Sequence, residues 1–447
     1  MQKALALKCA IIVGIGLALL IPLVMISGKI EERRHYLYEA QARVAQSWTG
    51  EQTIVSPLVV LPYQVEVLQY RQKGGEQVSS LGLEWHKVML VPDNLTIKVI
   101  TDTQLRHQGI YNIPVYSSQL SMEGELTRQT IEEALQTLRQ QLNFRQLGEP
   151  YLAISIADSR GIDGDPSLTW QQQSLSFLPN SDIDTLESGL HSVLPALDET
   201  QDYQFQINVA IRGMQSLQFV PAAKQLFMRL QSSWPHPQFS GAFLPLAHDI
   251  SNQGFSAEWR LNHFSTGIKQ LIRSCESQDC SGLNTISFGV NFIDAVDPYL
   301  QAERSLKYGI LFIGLSFIAF FMFETLRNIA IHPVQYTLVG IALAIFFLLL
   351  TSLSEHLQFA LSYLIATAAC VGLLGYYLRF VLGSWRDAII FSFSLTILYA
   401  VLFIIVGAED YALLMGSSLI FVVLAGIMIS TRNINWYALK KVNGESN

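Results

Sequence analysis

Ionisable side chains set inside otherwise apolar segments are the first residues of this 447-residue chain whose types and spacing could do chemistry. Glu324 and His332 lie close together in sequence, and Glu355 and His356 are adjacent. A charge in hydrocarbon is costly, so each of these groups is a functional hypothesis. Glu324 with His332 would make a proton or metal site between helices, and all four would line a transport path. A plainer reading stays open for each. Glu324 and Arg327, three apart on one helical face, would form a local ion pair at headgroup depth. His332-Pro333 would start a helix, where the missing proline donor costs nothing. Glu355-His356 would be a solvated turn.

The polar middle of the chain offers three further constellations. Asp158-Ser159-Arg160-Gly161, after a strand-like run, would suit a nucleophilic serine, but a nucleophile needs a base in hydrogen-bond reach. Spacing brings none of His191, His236 or His263 there. Cys275 and Cys280 would close a short local disulfide if their compartment is oxidising. Zinc would need two more thiols or imidazoles, and no second cysteine pair exists, since Cys9 and Cys370 fall in apolar runs as small buried hydrophobes. Trp234, His236, Phe239 and Phe243, with Pro235 and Pro237 between them, would form a rigid aromatic loop. It is either a structural corner or, if its rings are exposed, a recognition surface. Phosphate-loop, dinucleotide, zinc-protease and kinase signatures do not occur, and no cofactor or metal is expected.

The elements that must position these residues are mostly membrane helices. From Leu306 to Ser430 the strongly charged residues are Lys307, Glu324, Arg327, Glu355, Arg379, Arg386, Asp387, Glu409 and Asp410. A span needs about 20 apolar residues, so this block predicts five, at 306–326, 336–354, 357–380, 387–407 and 411–430. A sixth run, Cys9 to Ser27, lacks a small-x-small cleavage site and predicts an uncleaved anchor. Leu37, Ala40, Val44 and Trp48 continue as a helical stripe. From Thr53 to Ile293 short β-type runs alternate with turn signals such as Lys73-Gly74-Gly75 and Pro92-Asp93-Asn94. The first strand, Ile54–Tyr70, is expected to be interrupted by Pro57 and Pro62, and the last to cover Thr285–Ile293. One helix is predicted with Ile131, Leu135, Leu138 and Leu142 on one face.

The predicted fold is therefore an α-helical polytopic membrane protein of about six transmembrane helices. A large, mainly-β antiparallel domain is inserted between the first and second. The expected divisions are an anchor 1–28, a stalk 29–50, a β-rich domain 51–305, a five-helix bundle 306–430 and a tail 431–447.

Short-loop cations then set the orientation. Lys3 and Lys8, Arg327, Arg379 and Arg386, and Arg432, Lys440 and Lys441 all fall on one face, while the turns at Glu355-His356 and Glu409-Asp410 carry no Lys or Arg. Both termini are expected in the cytoplasm and the β-rich domain in the periplasm, which suits a Cys275–Cys280 disulfide. The formal charge of −7 sits largely in that domain and argues against nucleic acid as a partner, since phosphate binding needs a basic surface.

Several stretches together resemble the CreD inner-membrane proteins associated with cell envelope integrity. They are Ser233-Trp234-Pro235-His236-Pro237-Gln238-Phe239 with Phe243-Leu244-Pro245, Ile154 through Ile162, Phe323-Glu324-Thr325-Leu326, His332-Pro333-Val334-Gln335-Tyr336, Leu353-Ser354-Glu355-His356, and Thr431-Arg432-Asn433-Ile434. The resemblance runs along nearly the whole chain and contains no catalytic signature. It implies a bacterial inner-membrane protein tied to envelope stress and integrity, and the expected partners are membrane lipids and an envelope protein, lipid or glycan. Cys275 and Cys280 are not part of that pattern. A transporter or channel using Glu324, His332, Glu355 and His356, and a membrane-anchored hydrolase, are the competing readings.

Overall fold

The computed structural model describes residues 2–73, 76–276, 279–293, 298–327, 331–408 and 411–432. The expected turn at Gly74-Gly75, the acidic pair Glu409-Asp410 and the basic tail at Lys440 and Lys441 lie outside them. The chain forms two compact units, one of Met1–Tyr38 with Val296–Asn447 and one of Glu39–Ala295.

The first unit is helical. Among the described residues, four helices are long and apolar enough to cross a membrane: Leu7–Ser47, Pro333–Ser354, Phe359–Leu382 and Trp385–Gly407. A fifth span results if Tyr299–Lys307 and Gly309–Thr325, bent by 44° at their junction, are taken as one. The helix Ala412–Thr431 is also apolar, with a shorter core at Leu414–Ile429. Aromatic packing fills the centre of this unit. Tyr399 stacks near Phe312 at 4.4 Å and Phe346 at 4.5 Å, and Phe346 meets Tyr363 at 5.4 Å. With no water to serve them, hydroxyls here need internal partners. Tyr363 donates to the Tyr399 carbonyl at 2.7 Å, and Tyr399 donates to Cys370 Sγ at 3.2 Å.

The second unit is built mainly of strands, in one nine-stranded and one eight-stranded sheet. Alternation buries one face of the eight-stranded sheet, whereas central strands of the nine-stranded sheet such as Tyr151–Ile156 are buried on both faces. In the strand Tyr203–Met214, for example, Tyr203, Phe205, Ile207, Val209 and Ile211 are buried while their neighbours are not. The largest fully buried rings are Trp170, Trp259, Tyr116, Phe219 and Phe288.

Four local expectations need correction. Pairing is not purely antiparallel: Gln52–Lys73 runs parallel to Ser216–Val220, and Asn94–Gln108 parallel to Gln225–Ser232. Pro57 and Pro62 do not interrupt the first strand, which is continuous over Gln52–Lys73. Pro57 sits where the register slips between Val55 and Leu58, a place where no ladder donor is needed, and the Pro62 carbonyl still accepts from Gly148 N–H at 2.7 Å. The predicted helix ends at Arg139, so Ile131, Leu135 and Leu138 are buried but Leu142 is fully exposed beyond it, as the chain turns into Phe144–Leu147, and it is not the single helix expected, since Ile268–Glu276 is helical too and buries Ile268, Ile272 and Cys275. The last strand is shorter than expected, Phe288–Phe292, because a 3-10 turn takes Ser281–Ile286.

One carboxylate ties three elements of this unit together. Asp93, before the strand Asn94–Gln108, pairs with Lys224 Nζ at 2.6 Å. It also accepts from the Thr127 backbone N–H at 2.8 Å and from the Thr127 and Thr130 hydroxyls, each at 2.9 Å, at the start of the Arg128–Arg139 helix. Burial works to raise its pKa, but the bonds from Lys224, Thr127 and Thr130 outweigh it and hold the carboxyl below its ordinary range.

Candidate functional site

In the helical unit the four membrane residues fall into two layers. Glu324, 7% exposed, is met by Lys8 from the N-terminal helix in an ion pair. It also accepts from the Tyr336 hydroxyl at 2.8 Å and from the Ile331 backbone N–H at 3.1 Å. The carboxylate is thus engaged by three groups from two segments, the N-terminal helix and residues 331–336, as a charge taken out of water requires. The expected partner Arg327 has its side chain outside the described set. His332 does not join Glu324. Its ring accepts from Val334 N–H at 3.3 Å, and the Gln335 side chain accepts from His332 N–H at 3.0 Å, a reciprocal cap on the Pro333–Ser354 helix.

Glu355, at the far end of that helix, is not a free turn residue. Its carboxylate pairs with Arg33 at 3.1 Å and lies 3.4 Å from the Tyr299 hydroxyl, with only 8% of the side chain exposed. His356 beside it is exposed. Arg34, next to Arg33, pairs with Glu303 at 2.6 Å. Tyr336 and Glu355 are 19 residues apart on one helix, about 28 Å, close to the ~30 Å hydrocarbon thickness. Between Lys8 and Lys29 the N-terminal helix carries no charge. The two layers therefore cap the apolar depth at either end, and the aromatic packing around Tyr399 occupies the interval. Asp387, also buried, lies in the first turn of Trp385–Gly407, where its N–H meets Ser384 Oγ at 3.5 Å.

In the strand unit the serine motif is a clasp. Asp158 binds Arg160 at 2.6 Å and accepts from Gly50 N–H at 3.1 Å, while Arg160 reaches the carbonyls of Ala45 and Gln46 at 3.2 and 3.1 Å. The Arg160 bonds hold the Asp158 carboxyl below its usual range. The histidines are engaged elsewhere or solvent-facing: His191 Nδ1 lies 2.8 Å from the Asn180 carbonyl, His263 Nδ1 lies 3.3 Å from that of Lys224, and His236 is exposed.

Cys275 and Cys280 are joined by a disulfide and buried against Val55, Val60, Ile183 and Ile272. Thr185 donates its hydroxyl proton to Cys280 Sγ at 2.6 Å. The neighbouring Glu276 accepts from Met89 N–H at 2.8 Å, and burial pushes its carboxyl up.

The rings of the aromatic loop pack against the core. Trp234 donates from Nε1 to the Ile293 carbonyl at 3.0 Å, Phe239 packs edge-on to Phe255 and Trp259, and Phe243 meets Phe288. Residues Pro237–Gly241 are in fact a strand paired with Phe288–Phe292. The rings are half-buried.

Comparison with known proteins follows the same span. The family model of inner membrane protein CreD matches residues 4–437. The chain belongs to the CreD family. Inner membrane protein CreD of Escherichia coli (strain K12) is 33% identical over 442 residues, covering 98% of this chain and 95% of that protein. This CreD-family chain is accordingly an inner-membrane protein.

Two features of this CreD-family chain were not singled out from sequence. Lys8 and Arg33 lie hundreds of residues from Glu324 and Glu355, and nothing local marks them as partners. The other is an open cleft of about 880 Å³ in the strand unit, lined by Pro62, Trp85, Leu147, Glu149, Asp182 and Pro195 among others. Trp85 is 54% exposed, and its ring lies so close over Gly148 that a Cβ there would come within 2.9 Å of it. Lys87 in the same wall donates to the Asp182 carbonyl at 2.7 Å and pairs with Asp184 at 3.2 Å. The available signal was an aromatic on the solvent side of an alternating strand: Leu83 and Trp85 are both exposed.

Proposed function

We propose that this chain maintains the cell envelope by binding, with its β-rich domain in the periplasm and its membrane helices as a fixed support. In this reading six spans hold both termini in the cytoplasm, the domain is inserted between the first and second, and the cleft around Trp85 takes an envelope protein, lipid or glycan. The family's association with envelope stress motivates the role. One observation carries the choice of binding over transport: the buried membrane carboxylates Glu324 and Glu355 lie in layers at the ends of the apolar depth, already paired with Lys8 and Arg33. Coupled transport commonly places its charges near the midplane, and here that level is packed with Phe312, Phe346, Tyr363 and Tyr399.

A photoreactive residue at position 85 in intact cells should capture an envelope component. Trp85→Ala should abolish envelope protection, read as survival in detergent, while the protein accumulates normally. Glu355→Gln should retain it. Loss of protection in a folded Glu355→Gln protein, with Trp85→Ala intact, would favour transport. Cysteine labelling of the strand unit from the cytoplasmic side would refute the topology.

A further inference from the structure

We infer that the turn between the helices Phe359–Leu382 and Trp385–Gly407 is a binding site for the phosphate of an anionic phospholipid. Most described cations of the helical unit have a carboxylate partner: Lys8 with Glu324, Lys29 with Glu32, Arg33 with Glu355, Arg34 and Lys307 with Glu303. Arg379 and Arg386 differ. Both are exposed, and neither has a carboxylate partner among the described residues. Arg379 instead lies over the Trp385 ring at 4.5 Å and near Phe380 at 5.4 Å.

The surroundings select a lipid. Tyr376, Phe380 and Trp385 are 63%, 65% and 55% exposed, on the last two turns of one membrane helix and the first turn of the next. Exposed amphipathic rings at span ends belong at headgroup depth. Gly383, at φ +65°, makes the left-handed cap that lets the chain reverse within two residues, so the two arginines come from adjacent helix ends. The neighbouring acid, Asp387, is turned inward and 7% exposed. The result is two guanidiniums on an aromatic rim with no carboxylate partner among the described residues. Guanidinium recognises phosphate bidentately, and the acyl chains would lie along the exposed apolar residues Leu373 and Ile389.

Native mass spectrometry of the full-length protein, with phosphatidylglycerol, phosphatidylethanolamine and inorganic phosphate as probes, tests this. At about 1 kcal/mol per arginine near the surface, Arg379→Gln with Arg386→Gln should cut the preference for phosphatidylglycerol over phosphatidylethanolamine about 30-fold, and Arg386→Gln alone about 5-fold. Replacing the exposed cations Lys29 and Arg43 by Gln should leave it intact. Should the double variant not fold, a photoreactive phosphatidylglycerol on the wild-type protein should label residues 376–386. Unchanged preference in the folded double variant, labelling elsewhere, or displacement of the lipid by an equal concentration of inorganic phosphate would each overturn the assignment.

Discussion

Asp93 in the strand unit and Glu324 in the helical unit are assembled from the same parts: a carboxylate, one lysine, hydroxyl donors and a backbone N–H. Each joins segments far apart in sequence. Their solvents differ. Asp93 sits at the edge of a water-exposed domain, where an unpaired carboxylate can recover hydration by a small movement. Glu324 lies at the end of the apolar depth with 9% of its side chain exposed, where other protein groups take over most of what hydration supplies. The same cluster is therefore a fastening in one unit and a necessity in the other.

The largest effect expected follows from that difference. Glu324→Ala strands Lys8 in an apolar setting and should cost about 3–5 kcal/mol, read as loss of folded protein in detergent. Lys8→Met with Glu324→Leu should cost far less than either single change, since a buried pair replaced by apolar side chains is often nearly neutral. If the singles and the double lose equally, the pair is not what makes the site costly to break.

Asp93→Ala should cost about 1.5–3 kcal/mol, the range for hydrogen bonds to a charged group. Its pH dependence sharpens the contrast. Because the folded pKa lies below the unfolded value, the contribution is present above the unfolded pKa, about 3.9, and is lost as pH falls through the folded one. Acid melts of the wild type should show this loss, and those of Asp93→Ala should lack it.

Glu276 tests the opposite sign with a smaller effect. Its folded pKa is raised, so its contribution is present below the unfolded pKa and is lost as pH rises through the folded one. Glu276→Gln keeps an acceptor for Met89 N–H and should stabilise the protein slightly at neutral pH, by less than about 1 kcal/mol, with no gain in acid. Arg273, whose positive charge acts on the Glu276 carboxyl, is the group a loss at neutral pH would show to need that charge. The smallest effect belongs to Lys29, exposed and paired with Glu32 only three residues away. Lys29→Ala should leave the melting midpoint unchanged, since such pairs contribute little.

What was legible in the sequence was whatever depends on local period or length. Apolar runs of span length located the helices, and alternation located strands such as Tyr203–Met214. The terminal placement of charges within the spans was readable because it is a matter of position along the chain. Leu142 misled because a helical stripe can outlast its helix. For Trp234, Phe239 and Phe243 a structural corner and a recognition surface both stayed open, because aromatic content does not say which side of a sheet the rings face.

Membrane helices and a polar, strand-rich region can be read from amino-acid order alone, because hydrocarbon thickness and side-chain periodicity act within one segment. Only the tertiary structure decided that Glu324 answers to Lys8 and Glu355 to Arg33, that Pro57 lies at a register slip, and that Trp85 stands in the open over Gly148. Those pairings join residues from distant parts of the chain, and their energies depend on which group is nearby once water has been removed.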